Sequence, residues 1–145
     1  MLRRVVLLGG TLLVGVLLLS GVALAENIRG TFGPDDNLEG TTQLDRIYGL
    51  GAADTIRGLA GNDDCYGGSG NDTIRCGAGN DRIDGGFGKD VLLNGGGGND
   101  TISAADGQED QVNCGEGDDT VYVDGLDVDV VNDDCEHVFE TVEQM

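Results

Sequence analysis

Large aromatic side chains and proline are scarce in this sequence of 145 residues. It has no tryptophan, only three tyrosines and three phenylalanines, and a single proline, Pro34. So few large apolar side chains cannot fill an ordinary globular core. The only histidine is His137 and the four cysteines form no Cys-x-x-Cys pair, so a zinc site is not expected. Neither His-Glu-x-x-His nor Gly-x-Ser-x-Gly occurs, and we expect no catalytic activity.

The one long apolar run lies at the N-terminus, from Val5 to Leu19. Arg3 and Arg4 precede it, and the small-residue sequence Ala23-Leu24-Ala25 follows it. This order predicts a secretory signal peptide over residues 1–25 and a secreted protein. An uncleaved membrane anchor is the alternative. No cysteine follows the run, so a lipid anchor is not expected.

Basic residues are scarce in the remaining chain, residues 26–145. It has 6 Lys and Arg against 27 Asp and Glu, a net charge of −21, and it keeps 23 of the 27 glycines. Such an acidic chain with few aromatics is typical of disorder. Its charge repels nucleic acids and anionic membranes, which we exclude as partners. A multivalent cation is the partner that the composition favours.

An internal repeat gives this chain its organisation. The pattern Asp-x-apolar recurs with a spacing of nine residues at seven aspartates. After one extra residue, placed at Asn94, it resumes at three more, with spacings of ten and nine between them. The aspartates are Asp36, Asp45, Asp54, Asp63, Asp72, Asp81, Asp90, Asp100, Asp110 and Asp119. A period this regular predicts a repeat architecture.

The residues before these aspartates are rich in glycine. Residues 67–72, 85–90 and 95–100 fit the pattern GGxGxD completely. The segments 58–63, 76–81 and 114–119 each lose one glycine, and those ending at Asp45, Asp54 and Asp110 lose most of theirs. With these motifs the chain resembles the repeat-in-toxin (RTX) family of hemolysin-type calcium-binding nonapeptide repeats.

The resemblance implies an all-β fold, a right-handed parallel β-roll (β-solenoid) with two repeats per coil. Each repeat would give a six-residue turn and a three-residue strand. We predict the roll over residues 26–122 and a disulfide-stapled C-terminal cap over 123–145. Residues one coil apart would stack into two core rows, one of Leu38, Ile56, Ile74 and Leu92, the other of Ile47, Cys65, Ile83 and Ile102.

Stacked coils would also bring aspartates of successive turns to about 4.8 Å from one another. Carboxylates this close repel unless a cation lies between them, and Ca²⁺ suits a site of carboxylate and backbone oxygens. We expect about three to five calcium ions. The turn pairs predicted to hold them are 67–72 with 85–90, 58–63 with 76–81, 76–81 with 95–100, 95–100 with 114–119 and, more weakly, 49–54 with 67–72.

The predicted metal-site residues are the aspartates and glycines of these turns. They are Asp54, Gly58, Gly61, Asp63, Gly67, Gly68, Gly70, Asp72, Gly77, Gly79, Asp81, Gly85, Gly86, Gly88, Asp90, Gly95, Gly96, Gly98, Asp100 and Asp119. The asparagines that precede four of the aspartates favour turn formation rather than metal ligation. These are Asn62, Asn71, Asn80 and Asn99.

The cysteines are expected to form two disulfides, as in other exported proteins. In the implied roll Cys114 and Cys135 lie about one coil apart, which suits a disulfide. Cys65 and Cys76 form the remaining pair, with a buried free thiol at Cys65 as the alternative. His137 is interpreted as a surface residue of the cap.

The sequence therefore predicts a monomeric, secreted calcium-binding protein that does not contact a membrane once exported. We expect the chain without calcium to be largely disordered and the metal to fold it. The alternative is an extracellular adhesion or matrix module that uses a calcium-ordered face. Such a module should show an exposed repeating row, and only Thr55 and Thr73 align well.

Overall fold

A computed structural model describes residues 25–35, 37–124 and 128–141. The predicted signal peptide lies outside the described residues, apart from Ala25. The described residues form short β-strands joined by turns. The strands are β1 (Asn27–Arg29), β2 (Leu38–Glu39), β3 (Arg46–Tyr48), β4 (Thr55–Ala60), β5 (Asp64–Ser69), β6 (Thr73–Ala78), β7 (Arg82–Phe87), β8 (Leu92–Gly97), β9 (Thr101–Ser103), β10 (Gln111–Glu116), β11 (Thr120–Val123), β12 (Val130–Val131) and β13 (His137–Glu140).

Alternate strands belong to two different parallel sheets. Sheet A contains the seven odd-numbered strands in the order β1-β3-β5-β7-β9-β11-β13, and sheet B contains the six even-numbered strands in the order β12-β10-β8-β6-β4-β2. Each strand pairs with the strand one coil away, as Ile56 does with Ile74 and Cys65 with Ile83. The prediction of a parallel β-solenoid with two repeats per coil is confirmed.

The core lies between the two sheets and consists of one inward row from each. Mostly β-branched and leucine side chains fill these two rows, and Cys76, Ala104, Cys114 and Val123 add a second buried position on or just after some strands. Sheet A contributes Ile28, Ile47, Cys65, Ile83, Ile102 and Val121, and sheet B contributes Leu38, Ile56, Ile74, Leu93 and Val112. All of them are buried.

The predicted core position of Leu92 is wrong. Leu93 is fully buried and pairs with Ile74, whereas Leu92 pairs with Thr73 on the outer side. The extra residue of this repeat is Val91, 56% exposed, and not Asn94, which pairs with Arg75. Two residues thus oppose Thr73 at the start of the strand, as in a β-bulge. The shift lets the second glycine of the next turn, Gly96, pair with Gly77.

Both sheets continue into the segment predicted as the cap. Val131 of β12 pairs with Val112, and Val138 of β13 pairs with Val121, so each sheet gains one further strand after Tyr122. The boundaries proposed for the three segments of the chain remain predictions. Among the described residues, no helix is long and apolar enough to cross a membrane.

The structure confirms both predicted disulfides. Cys114 of β10 is bonded to Cys135, which lies just before β13, with their Cα atoms 5.2 Å apart. Cys65 of β5 is bonded to Cys76 of β6, with Cα atoms 6.6 Å apart, so this bond joins the two sheets across the core. The alternative of a free thiol at Cys65 is therefore wrong.

Candidate metal centre

The turns between the two sheets stack into two columns, and each column contains a ladder of aspartates. The first ladder lies in the turns that lead from sheet A to sheet B, and the second in the turns that lead back. The first ladder comprises Asp35, Asp54, Asp72, Asp90, Asp110 and Asp129. The second comprises Asp45, Asp63, Asp81, Asp100 and Asp119, with Glu26 and Glu136 at its two ends.

One carboxylate oxygen of each aspartate holds its ladder together. The backbone N–H of Asp54 donates to Oδ1 of Asp72 at 2.8 Å, and that of Asp63 donates to Oδ1 of Asp81 at 2.8 Å. The same bond recurs along both ladders with sequence separations of 18 to 20 residues. Each aspartate therefore positions the turn one coil before its own.

The other carboxylate oxygen, Oδ2, is buried, and in seven aspartates no protein group donates a hydrogen bond to it. These are Asp63, Asp72, Asp81, Asp90, Asp100, Asp110 and Asp119. The whole residues are between 0% and 3% exposed. A buried carboxylate oxygen without a partner is costly, because it loses its hydration and gains nothing in return. Seven such oxygens in two columns make a set of anionic sites directed into the turns.

The ladders end on oxygens that do have protein donors. Near the N-terminus, Oδ2 of Asp45 accepts hydrogen bonds from the N–H and hydroxyl of Thr41 at 2.6 and 2.9 Å, and Oδ2 of Asp35 accepts one from the N–H of Thr31. Near the C-terminus, Oδ2 of Asp129 accepts one from the N–H of Asp124 at 3.0 Å. The seven oxygens without donors thus belong to the interior coils.

Burial makes the interior aspartates resist ionisation. It raises the pKa of Asp63, Asp90, Asp100 and Asp110 to about 7, and that of Asp81 to about 6. The N–H donated by the preceding aspartate lowers each pKa but does not offset the loss of water. Neighbouring carboxylates raise the pKa of Asp100 further. Burial also raises the pKa values of Asp72, Asp119 and Asp129.

Glycines in the turns make room for these carboxylates and for the stacked backbone. A Cβ atom on Gly58 would lie 2.5 Å from Oδ2 of Asp63, and one on Gly79 would overlap the carbonyl oxygen of Gly61 in the turn below. Gly79 also has a φ of +140°, which L side chains rarely adopt. Adding a side chain at Gly58 or Gly79 would therefore force the neighbouring turn to move.

Three turn positions that lack the expected glycine still have its backbone conformation. Leu50, Ala52 and Leu59 have φ values of 84°, 67° and 82°. They lie directly below Gly68, Gly70 and Gly77 of the following coil. A left-handed conformation costs a non-glycine residue about 1–2 kcal/mol. The degenerate turns thus keep the geometry of the consensus turn at a cost in stability.

The structure places the predicted metal-site aspartates on the two ladders, and it adds members that the sequence motif missed. Asp110 is fully buried in the first ladder, although its turn has lost most of its glycines. Asp129 follows in the same ladder, 19 residues after Asp110. The Asp-x-apolar series did include Asp110, ten residues after Asp100, but only the stacked geometry identifies Asp129.

The first predicted aspartate of the series is corrected. Asp36 lies outside the described residues, and Asp35 occupies the ladder position. The N–H of Asp35 donates to Oδ1 of Asp54 at 2.7 Å, and its carbonyl oxygen accepts the N–H of Thr55 at 3.0 Å. The additional residue between Asp35 and β2 is accommodated by Asn37, with a φ of 68°.

The asparagines before the aspartates link successive turns. The N–H of Asn80 donates to Oδ1 of Asn62 at 2.9 Å, and that of Asn99 donates to Oδ1 of Asn80 at 2.9 Å. Asn71 accepts the N–H of Lys89 in the same way at 3.2 Å. These contacts support a structural role in the turns, as the sequence indicates.

The donor set of the interior turns fits a hard cation. The groups that converge there are carboxylate and backbone carbonyl oxygens, which are the ligands that Ca²⁺ prefers. The one cluster of Cys, His, Asp and Glu with metal-ligand spacing that the described residues contain is Cys114, Asp134 and Cys135. Its two sulfurs form a disulfide and cannot bind a metal. His137 lies on the surface, with Nε2 2.9 Å from Oδ1 of Asp118.

Comparison with known proteins agrees with this geometry. The family model for the RTX calcium-binding nonapeptide repeat, in four copies, matches residues 35–65, 65–92 and 77–108. Together these segments span just over half of the 145 residues. No curated protein and no solved structure matches the chain significantly. The matched residues contain most of both aspartate ladders, and the chain belongs to the family of RTX calcium-binding nonapeptide repeats.

Proposed function

We propose that this chain is a secreted protein that binds about three to five calcium ions between its stacked turns and requires them to fold. The observation that carries the proposal is the set of seven buried Oδ2 atoms without hydrogen-bond donors. Their stacked carboxylates are costly in the absence of a cation and become ligands in its presence.

The proposed ligands are the ladder aspartates of the interior coils and the backbone carbonyl oxygens of the turn glycines. The aspartates are Asp54, Asp63, Asp72, Asp81, Asp90, Asp100 and Asp119, as the sequence predicted, with Asp110 added from its place in the first ladder. Calcium bound there would supply the positive charge that the two columns of carboxylates lack. Glycine supports the site by allowing the close approach of stacked backbones.

Calcium binding and folding are coupled in this proposal. The chain from residue 26 carries a net charge of −21, and its core consists of two narrow rows of side chains. Self-repulsion and backbone entropy then outweigh a small hydrophobic gain. A ligand that binds only the folded state shifts the equilibrium toward that state. Extracellular calcium sites work in the range of about 0.1–1 mM, so the chain would fold after export.

Calorimetry and circular dichroism on the exported protein test the proposal. We expect several calcium ions per chain and a β-sheet signal that appears only when calcium is added. Asp81→Asn should lower the stoichiometry or raise the calcium concentration needed for folding. Glu116→Gln is the matched control, because Glu116 is an exposed residue at the end of β10, two coils from Asp81, and no contact of its side chain holds the ladders. A full β-sheet signal in excess chelator would show that the metal is not required.

A second candidate function is an extracellular interaction module, and one observation favours it. Besides Thr55 and Thr73, which do align, Tyr48 aligns with Tyr66 and Tyr122 with Phe139 on the outer face of sheet A. The expectation that only the two threonines form an exposed row is therefore wrong. Calcium binding would then serve to order a face that meets a partner.

A further inference from the structure

All six aromatic residues of this chain lie outside the hydrophobic core. Aromatic side chains usually contribute most to core packing. Here four of them point outward from sheet A, namely Tyr48, Tyr66, Tyr122 and Phe139. The other two, Phe32 and Phe87, lie where strands of that sheet enter their turns. Phe32 is 87% exposed and Phe87 is 71% exposed. The aromatics are thus concentrated on one side of the molecule, where they stabilise no core.

The outward aromatics belong to a single row along sheet A, which we call the aromatic row. Its members, in order of stacking, are Arg29, Tyr48, Tyr66, Asp84, Ser103, Tyr122 and Phe139. Asp84 and Ser103 interrupt the row between Tyr66 and Tyr122, and a depression lies over them beside Tyr66. The surface that results has aromatic rings on both sides of a carboxylate and a hydroxyl.

At the N-terminal end of the aromatic row, two stacked tyrosine rings contact a cation of the same chain. The rings of Tyr48 and Tyr66 stack with centroids 4.9 Å apart and planes at 6°. The guanidinium of Arg29 lies over the free face of Tyr48, with its Cζ 5.2 Å from the ring centroid. This is a cation–π contact, in which the ring's negative face attracts the cation. The two-ring stack is therefore closed by a cation at one end.

The other end of the stack borders a groove with uncompensated negative charge. Its lining includes Tyr66, Asp84, Phe87, Ser103 and Asp106. Asp84 is half-buried and, within the described part of the chain, its carboxylate has no hydrogen-bond or ion-pair partner.

Another carboxylate of sheet A is neutralised by an arginine of the adjacent strand. Asp64 is paired with Arg46, with Oδ2 and Nε 3.0 Å apart. Asp106 accepts hydrogen bonds from the N–H groups of Gly88 and Gln108, so its charge is solvated but not neutralised.

We propose that this groove binds the guanidinium or ammonium group of an arginine or lysine on a basic protein partner. The cation would lie against Tyr66 as Arg29 lies against Tyr48, and it would pair with Asp84 and Asp106. Aromatic and carboxylate groups together select a cation over a neutral group. The proposal goes beyond calcium binding and requires only that the roll is folded.

Charge and area argue against a second copy of this chain as the occupant. Two copies would each bring a net charge of −21 from their side chains, or about −11 to −15 with three to five calcium ions bound, and would repel each other. The outer face of sheet A, seven short strands wide, measures roughly 29 by 10 Å, or about 300 Å², whereas a stable interface buries about 800 Å² per partner. A face this narrow suits an extended basic segment that inserts one or two side chains.

Titration monitored by ¹⁵N NMR on the exported, calcium-saturated protein tests the proposal. The probe is the capped peptide acetyl-Gly-Arg-Gly-amide, and acetyl-Gly-citrulline-Gly-amide is its neutral isostere. We expect the arginine peptide to shift the amides of Tyr66, Asp84 and Ser103, and the citrulline peptide to bind about fivefold more weakly or not at all. Added salt should weaken the binding.

Two variants separate a specific groove from general attraction. Asp84→Asn should weaken the arginine peptide about fivefold. Glu39→Gln, which removes an exposed carboxylate from the outer face of sheet B, should leave its binding unchanged. Tyr66→Leu should weaken it as well, and a dispersed spectrum with unchanged calcium stoichiometry verifies that each variant is folded.

Several results would overturn the proposal. Equal binding of the citrulline peptide would exclude selection for a cation. Equal weakening by Asp84→Asn and Glu39→Gln would reduce the effect to net charge. Shifts of the same amides that depend on protein concentration alone would identify a second copy as the occupant, and shifts caused by cellohexaose would identify a neutral glycan.

Discussion

Substituting Gly79 by alanine should destabilise the roll far more than the same substitution at Gly97. Gly79 is the fourth residue of its turn, has a φ of +140°, and lies so close to Gly61 that a Cβ would overlap the carbonyl oxygen of that residue. Gly97 is the third residue of the next turn in the same column, where a Cβ would meet no atom within 4 Å. Its neighbour below, Ala78, already carries a Cβ.

The magnitude follows from the two local environments. At Gly79 the left-handed conformation costs alanine about 1–2 kcal/mol, and the displaced carbonyl of the turn below raises the total to about 3 kcal/mol. Three kcal/mol corresponds to a factor of about 150 in the folding equilibrium. If folding takes up about four calcium ions, the calcium midpoint rises by the fourth root of that factor, or about threefold. Gly97→Ala should change stability by less than about 1 kcal/mol, toward stabilisation.

The assay is calcium-induced folding followed by circular dichroism, with urea unfolding at saturating calcium as a second measurement. Gly79→Ala should raise the calcium midpoint and lower the urea midpoint, while Gly97→Ala leaves both close to those of the parent protein. Equal effects of the two substitutions would refute the reasoning, since the stacked carbonyl would then not constrain the turn. An effect on urea unfolding without any effect on calcium would separate the turn geometry from the metal sites.

Three further predictions concern the core, the disulfide and the pH dependence. Leu93→Ala should lower the free energy of unfolding by about 3 kcal/mol and Leu92→Ala by about 1 kcal/mol, because only Leu93 is fully buried. Equal losses of stability in urea unfolding would contradict the assigned strand register. Replacing Cys114 and Cys135 by serine should lower the free energy of unfolding by about 3 kcal/mol, because the disulfide closes a loop of 21 residues. It should also speed hydrogen exchange in β12 and β13, and unchanged exchange there would contradict the prediction. Without calcium, the pKa values of about 6 to 7 exceed the unfolded value near 3.9, so folding takes up protons. The contribution of these groups to stability is complete below about pH 4 and is lost as the pH rises through 6 to 7. Circular dichroism in the presence of a chelator should therefore show more β-sheet structure at pH 5 than at pH 8. More structure at pH 8 would contradict this prediction.

The sequence predicted most of this fold because each repeat specifies its own turn and strand. The aspartate period gave the stacking of Ile56 on Ile74 and of Cys65 on Ile83. The cysteine spacing gave the Cys114–Cys135 disulfide and left Cys65–Cys76 as the remaining pair. Errors arose where a repeat contains an extra residue. A leucine at position 92 or 93 satisfies the pattern equally well, and only pairing with the adjacent coil decides between them.

The candidate site was predicted from its glycines, and this is also why part of it was missed. Asp110 and Asp129 belong to the first ladder although their turns lack the consensus glycines. Their positions depend on contacts with turns about 20 residues away, which the local motif does not contain. The aromatic row was missed for a related reason, since its members are spread over seven strands and share no motif.

The bulge at Val91 shows that the length of a repeat and the height of a coil are independent in this protein. Ladder bonds join residues 17 to 20 positions apart, yet every step makes the same contact from backbone N–H to carboxylate oxygen. Extra residues are accommodated at the periphery, as with Val91, which is more than half exposed. Insertions at the starts of strands could therefore add new surface groups at chosen heights along the roll, while the spacing of the carboxylates stays fixed.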